Sequence, residues 1–297
     1  MHHIGVIMVI ATTTIAVATP LLLAALGEVV AEKAGVINVG IEGMMLCGAY
    51  AAFAASHYSQ SPTIGASGAI AAGLAIAAIF ALMTVRFRAD QVVAGTALNI
   101  LALGITGVLT PIASAFTNVP SFHPHRIASI SGHAISIDAL AIVAVAVTAV
   151  VGFYLARTVS GLRLRAVGEY PAAASDSGSN VNMIRVAAIL FGGSMAGLAG
   201  ACLSIGYNVG IGQGISSGRG FIALAVVIVG RWSPIGALLA ALLFGLASAL
   251  QAWYQATNVP IPYQVLLALP YVLTLVALVV RAGRTSAPAA LGSNYGD

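Results

Sequence analysis

Between His3 and Glu28 the chain runs for 24 residues without an Asp, Glu, Lys or Arg, and comparable apolar runs recur to the C-terminus. A segment of about 20 such residues matches the hydrocarbon thickness of a bilayer when helical. The runs therefore decide the solvent before any motif is read. Hydrophobic residues make up 60% of the 297 positions and charged residues 7%, with a mean hydropathy of +1.01. Soluble domains carry about a quarter charged residues, so this chain has too little polar surface to cover itself with. The low aromatic content and the abundance of Ala and Gly favour closely packed helices over a barrel of alternating strands. The reading is an all-α integral membrane protein forming a single domain over 1–297.

About nine spans are expected, near 4–26, 37–55, 63–85, 91–114, 136–156, 186–208, 218–230, 235–254 and 264–281. Two stand apart. The second opens on GVINVGIEGMML, where three glycines, Asn38 and Glu42 interrupt the apolar pattern, and 218–230 is too short to cross as a straight helix. Short or broken spans at matching places in two halves point to a transport site. The recurrence of Asn-Val-Gly-Ile at 38–41 and 208–211 is compatible with an inverted repeat.

Basic residues set the orientation. With nine crossings and the 157–185 loop in the cytoplasm, ten Lys and Arg fall inside and only Arg126 and Arg219 outside. The N-terminus is then outside, 115–135 is an extracytoplasmic loop and 282–297 a cytoplasmic tail. The basic balance follows from this topology and gives no sign of nucleic-acid binding. Cys47 and Cys202 fall within spans, which argues against a disulfide or a metal site. His123, His125 and His133 lack a fourth ligand at a suitable spacing. The one lysine, Lys33, stands in AEKAG and belongs to no phosphate-binding loop, so the chain has no ATPase site of that kind. No catalytic residue, cofactor or metal is expected.

Asn38 and Glu42, with Asn99 in mid-span and Asn208 in YNVGIGQG, are the candidate pathway residues. An ionised carboxylate costs about +2.5 kcal/mol or more to place in lipid, so Glu42 must be sheltered or paired. It either faces a solute path or satisfies loose backbone N–H groups of a broken helix. Asn99 is either interhelical glue or a solute contact. Gly193, Gly197 and Gly200 in GGSMAGLAG form a small-residue packing seam. In the 157–185 loop, Pro171 can open a short helix and Gly178 can close it in a left-handed conformation. Arg163, Arg165 and Glu169 there offer charged contacts to a partner.

The segments GEVVAEKAGVINVGIEGMML, LRLRAVGEYPAAASDSGSNV and RGFIALAVVIVGRWSPIGALL together resemble the permease subunits of bacterial ABC importers in the ribose and branched-chain amino-acid permease superfamily, nearest to its nucleoside-uptake branch. The resemblance runs over about residues 16 to 280. It implies a permease of the cytoplasmic (inner) membrane, paired with a second homologous permease in a heterodimer, ATP-binding cassette subunits and an extracytoplasmic solute-binding lipoprotein. It also implies that the loop carrying Arg165, Gly168, Glu169, Pro171 and Ala173 is the segment gripped by the ATPase. Where that family has an Ile in a Gly-Ile-Asn-Val ending, this chain has Ser179. The function expected is uptake of a nucleoside or related small polar solute. A simple-sugar or branched-chain amino-acid permease is the alternative within the class, and a proton-driven secondary transporter with Glu42 as carrier the alternative outside it.

Overall fold

Each long apolar run closes into a helix, and polar side chains start several of them. Asp90 accepts from the N–H groups of Val92 and Val93 at 2.9 Å, Thr158 from Gly161 at 3.0 Å and Asn180 from Met183 at 3.0 Å. These satisfy donors that a helix N-terminus leaves open. The computed structural model describes residues 2–122, 125–130, 133–206, 210–256 and 287–293, together with Ala268, Val272 and Val276. In chain order the elements are α1 (His2–Lys33), α2 (Ile41–Ser59), α3 (Pro62–Ala81) continued by a π-helical turn Leu82–Arg86, α4 (Gln91–Ser114), β1 (His125–Ile130), β2 (His133–Ile137), α5 (Ala139–Arg157), α6 (Val159–Glu169), α7 (Pro171–Asp176), α8 (Val181–Ile205), α9 (Arg219–Val229) and α10 (Pro234–Ala256). Among the described residues six helices are long and apolar enough to cross a membrane: α1, α3, α4, α5, α8 and α10.

The helical expectation holds with one addition. The 115–135 region and the start of the span expected from 136 form an antiparallel hairpin, β1 against β2, in which His125 pairs with Ile137 and Ile130 with His133, so that α5 begins only at Ala139. Alternating Ile with small and polar residues suits a strand better than a helix. The first helix also outruns the 4–26 span expected of it and reaches Lys33, because Glu28 and Glu32 find partners inside the bundle. The span near 264–281 lies outside the described residues apart from Ala268, Val272 and Val276, which are helical.

Helix α8 packs against α1, α2 and α3 at the centre of the bundle. Its glycines make this possible. A Cβ on Gly193 would lie 2.2 Å from Ala77 Cβ, one on Gly197 2.2 Å from the Ala69 carbonyl, and one on Gly200 2.2 Å from the Met45 carbonyl. Contact this close lets backbones touch, which is how helices gain attraction where lipid offers no hydrophobic drive. The outward faces are apolar instead of polar: Ile100 and Val108 on α4 and Val150 and Phe153 on α5 are all largely exposed.

Four junctions gather at one end of the bundle. The Ile37 N–H donates to Gln91 at the start of α4 (2.7 Å), Arg185 near the start of α8 donates to the Ala34 carbonyl (3.2 Å), Trp232 before α10 donates its indole N–H to Glu32, and Gly168 near the end of α6 lies against the Lys33 carbonyl. Lys33, Arg163, Arg165, Arg185 and Arg231 thus belong to chain segments that meet at this Lys33 end. At the far end, the Phe122 N–H donates to the Ile205 carbonyl (3.0 Å) and Ser56 to the Pro120 carbonyl (2.6 Å).

Candidate functional site

The GVINVGIEGMML stretch is a turn back into the bundle. After Lys33 the chain reverses, and the Asn38 N–H donates to Glu28 Oε1 at 2.8 Å, more than a turn above the end of α1. Asn38 is fully buried; its Nδ2 points to Met44 Sδ at 3.4 Å and its Oδ1 has no hydrogen-bond partner. Helix α2 therefore starts inside the protein, which is where irregular backbone at membrane depth is tolerated. Its open N-terminus is served from α4: Asn99 Oδ1 accepts from the Gly43 N–H (2.8 Å) while Asn99 Nδ2 donates to the Val39 carbonyl (2.9 Å). Asn99 stitches the broken segment to its neighbour.

Glu42 does the same for a second interrupted helix. Its Oε1 accepts from Ser216 Oγ (2.5 Å) and from the Gly218 N–H (2.8 Å), and its Oε2 from the Gly220 N–H (2.6 Å). All three donors sit at the N-terminus of α9. A carboxylate there meets both the orphan N–H groups and the positive end of the helix. The approach excludes a side chain at Gly220, whose Cβ would stand 2.7 Å from Glu42 Cα, N and Oε2. Glu42 thus satisfies backbone donors, but those of α9 and not of its own helix. The sequence reading missed Ser216, Gly218 and Gly220, although SSGRG directly before an apolar run is a legible helix start.

The route of the chain around α9 follows from these contacts. The Gly212 carbonyl accepts from the Tyr50 hydroxyl at 3.2 Å, Ser216 to Gly220 lie beside Glu42, and Trp232 meets Glu32 at the Lys33 end. Tyr50 also exchanges a hydrogen bond with Thr110. Eleven residues of α9 rise only about 16 Å, against about 30 Å for a bilayer core. Directly before α9, residues 210–218 are non-helical and run along α2. Beside it lies a cleft of about 380 Å³ lined by Pro20, Cys202, Gln213, Ser217 and Arg219 among others. Arg219 donates to the Ile215 and Ser216 carbonyls (3.0 and 3.3 Å). Asn208 lies outside the described residues.

The second candidate region is at the Lys33 end. Helix α7 opens on Pro171 and closes through Gly178, whose φ is +84°. The Ser179 N–H reaches the Ala174 carbonyl (3.0 Å) and the Gly178 N–H that of Ser175 (2.8 Å), the paired bonds of a Schellman close. Val167 and Ala174 are buried beneath Val181, while Arg163, Arg165, Glu169, Tyr170 and Ala173 are exposed. The result is a short, tightly closed element with charged and aromatic groups on its outer face.

An interrupted pair of helices inside an apolar bundle, with a braced polar element at one end, defines a transport permease. Residues 10–279 match the family described as branched-chain amino acid transport system / permease component, and the chain belongs to that family as a multi-pass membrane protein. Among individual proteins it is similar to the guanosine ABC transporter permease protein NupQ of Bacillus subtilis (strain 168), 35% identical over 99% of this chain and 98% of that protein. It is likewise similar to the nucleoside ABC transporter permease protein NupC of Lactococcus lactis subsp. cremoris (strain MG1363), 32% identical over 99% of both. The putative glucose ABC transporter permease protein TsgC13 of Haloferax volcanii is 36% identical over 82% of this chain and 77% of its own. More distant permeases of the first two bacteria, NupP and NupB, are 29% and 26% identical. No solved structure matches the chain significantly.

Proposed function

We propose that this chain is the permease subunit of an ATP-driven importer and forms half of the translocation path for a nucleoside or related polar solute. The observation that carries the reading is the tightly closed α6–α7 element at the Lys33 end, in a chain similar along nearly its whole length to two nucleoside ABC permeases. The other half of the path is a second, homologous permease. This is supported by the two bacteria that each contribute a pair of related permeases, NupQ with NupP and NupC with NupB. ATP hydrolysis comes from cassette subunits that grip Arg163, Arg165, Glu169, Pro171 and Ala173, and solute is delivered by an extracytoplasmic binding lipoprotein. The Lys33 end is cytoplasmic, the N-terminus is outside and the C-terminus inside, with nine passes that include α2, α9 with its non-helical approach, and the 264–281 segment. The cleft beside α9 has the volume of a small-molecule site and lies on the solute route.

Glu42 fits a proton carrier poorly, since both of its oxygens are engaged by fixed donors. The similarity to TsgC13 makes a sugar the second substrate reading. The complex purified from its host identifies its own subunits and any bound solute, and competition of uptake by guanosine, glucose and leucine separates the substrate classes. An exposed contact is tested by Ala173→Arg, which is expected to lower co-purifying ATPase and uptake together. Uptake that persists in a preparation free of any ATPase overturns the reading.

A further inference from the structure

Residues 287–293, Ala-Pro-Ala-Ala-Leu-Gly-Ser, are seated between the α6–α7 element and the turn that joins α1 to α2. Toward α6, the Ala290 N–H donates to the Gly168 carbonyl at 2.9 Å and the Ala289 N–H to Glu169 Oε2 at 3.2 Å. Toward the turn, the Gly292 N–H donates to the Gly35 carbonyl at 3.1 Å. Arg185 closes the arrangement, with Nη1 on the Ser293 carbonyl at 2.8 Å and Nε on the Ala34 carbonyl at 3.2 Å. Pro288 and Ala290 are buried while Gly292 is exposed, at a φ of +77°.

Apart from this segment, α6 meets the turn through close backbone contact, where a Cβ on Gly168 would be 2.2 Å from the Lys33 carbonyl and 3.2 Å from the Gly35 N–H, and through the attraction of exposed Glu169 for Lys33. Such contact transmits a push far better than a pull, because repulsion is steep, dispersion between a few atoms is weak and an exposed charge pair is screened by water. Hydrogen bonds from one short segment to both sides resist separation as well. The turn leads within a few residues to Asn38 on Glu28 and to Glu42 on the N-terminus of α9.

We propose that residues 287–293 are a positioning tie through which the α1–α2 turn, and with it the Glu42–α9 junction, follows the α6–α7 element in both directions of the transport cycle. This rests on the reading of α6–α7 as the ATPase-coupling element. Breaking the tie uncouples hydrolysis from movement while leaving the docking face intact.

The test uses the whole transporter in its host and after purification, with radiolabelled guanosine as the probe. Two variants break the tie on its turn side and keep the Ala289 bond to Glu169: deletion of 291–297, and Gly292→Pro, which removes the donor to Gly35 and cannot take the left-handed backbone. Gly292→Asn keeps the N–H and tolerates that backbone. Deletion and Gly292→Pro are expected to leave the assembled complex and its ATP hydrolysis within about twofold of wild type while uptake falls at least tenfold; Gly292→Asn is expected to keep most uptake. Unchanged uptake in both breaking variants overturns the tie, as does a loss of uptake that only follows a loss of assembled complex. Ala173→Arg, which touches no tie contact, runs alongside. If it leaves ATPase binding and uptake normal, the coupling reading itself has failed; if it abolishes both while the breaking variants transport normally, only the tie has.

Discussion

At Glu42 both carboxylate oxygens accept, two bonds on one and one on the other, so an amide is not an equivalent replacement. In Glu42→Gln the amide nitrogen must face a donor, either the Gly220 N–H or the pair on the other side. Leaving a buried donor unsatisfied costs about 1–3 kcal/mol. The expected order of thermal stability in detergent is therefore Ser216→Ala nearest wild type, then Glu42→Gln, then Glu42→Leu. Transport per assembled complex should stay near wild type for Ser216→Ala. A Gln variant as stable as wild type with no transport would return Glu42 to the solute path. The sequence made the carboxylate conspicuous but not its partners, which lie 174 to 178 residues away. Asn99 is different in kind. A lone carboxamide in an apolar run reads either as glue between helices or as a solute contact, and the structure gives it two partners across the break, Val39 and Gly43.

Among the elements, α8 and α4 answer opposite demands with the same residue. A Cβ on Gly197 meets backbone at 2.2 Å, whereas one on Gly104 of α4 has nothing within 4 Å. Gly197→Ala should cost about 1–3 kcal/mol through forced separation of α8 from α3 and α2. Gly104→Ala should be neutral or gain up to about 1 kcal/mol from helix propensity. Melting temperatures of the two purified variants check the contrast, and equal values would mean that the seam is not as tight as described. The four- and three-residue spacing of Gly193, Gly197 and Gly200 was readable in advance because helical periodicity places them near one face. The α9 boundary was readable too, and α7 closed where Pro171 and Gly178 suggested. The hairpin β1–β2 falls in the segment read as an extracytoplasmic loop between spans, where short alternating stretches carry too little pattern to mark a strand. Residues 287–293 offered no periodic signal, since their contacts run largely through backbone N–H and C=O groups.

For the whole molecule, the basic residues of distant segments converge on the Lys33 end, and the far end carries exposed Tyr58 and Gln60. In a background with Cys47 and Cys202 replaced, Gln60→Cys should react with an impermeant thiol reagent in intact cells and Asp176→Cys only after the membrane is opened. Reaction of Asp176→Cys from outside would invert the proposed orientation. The long separation between Glu42 and its donors also sets a schedule for biogenesis. At about 5–20 residues per second, the ribosome delivers Ser216 roughly 10 to 35 s after Glu42. Throughout that interval α2 carries an uncapped carboxylate and α9 does not yet exist to hold it. A chain truncated in this window is expected to be degraded faster than the full-length subunit, and pulse-chase labelling of the two checks it.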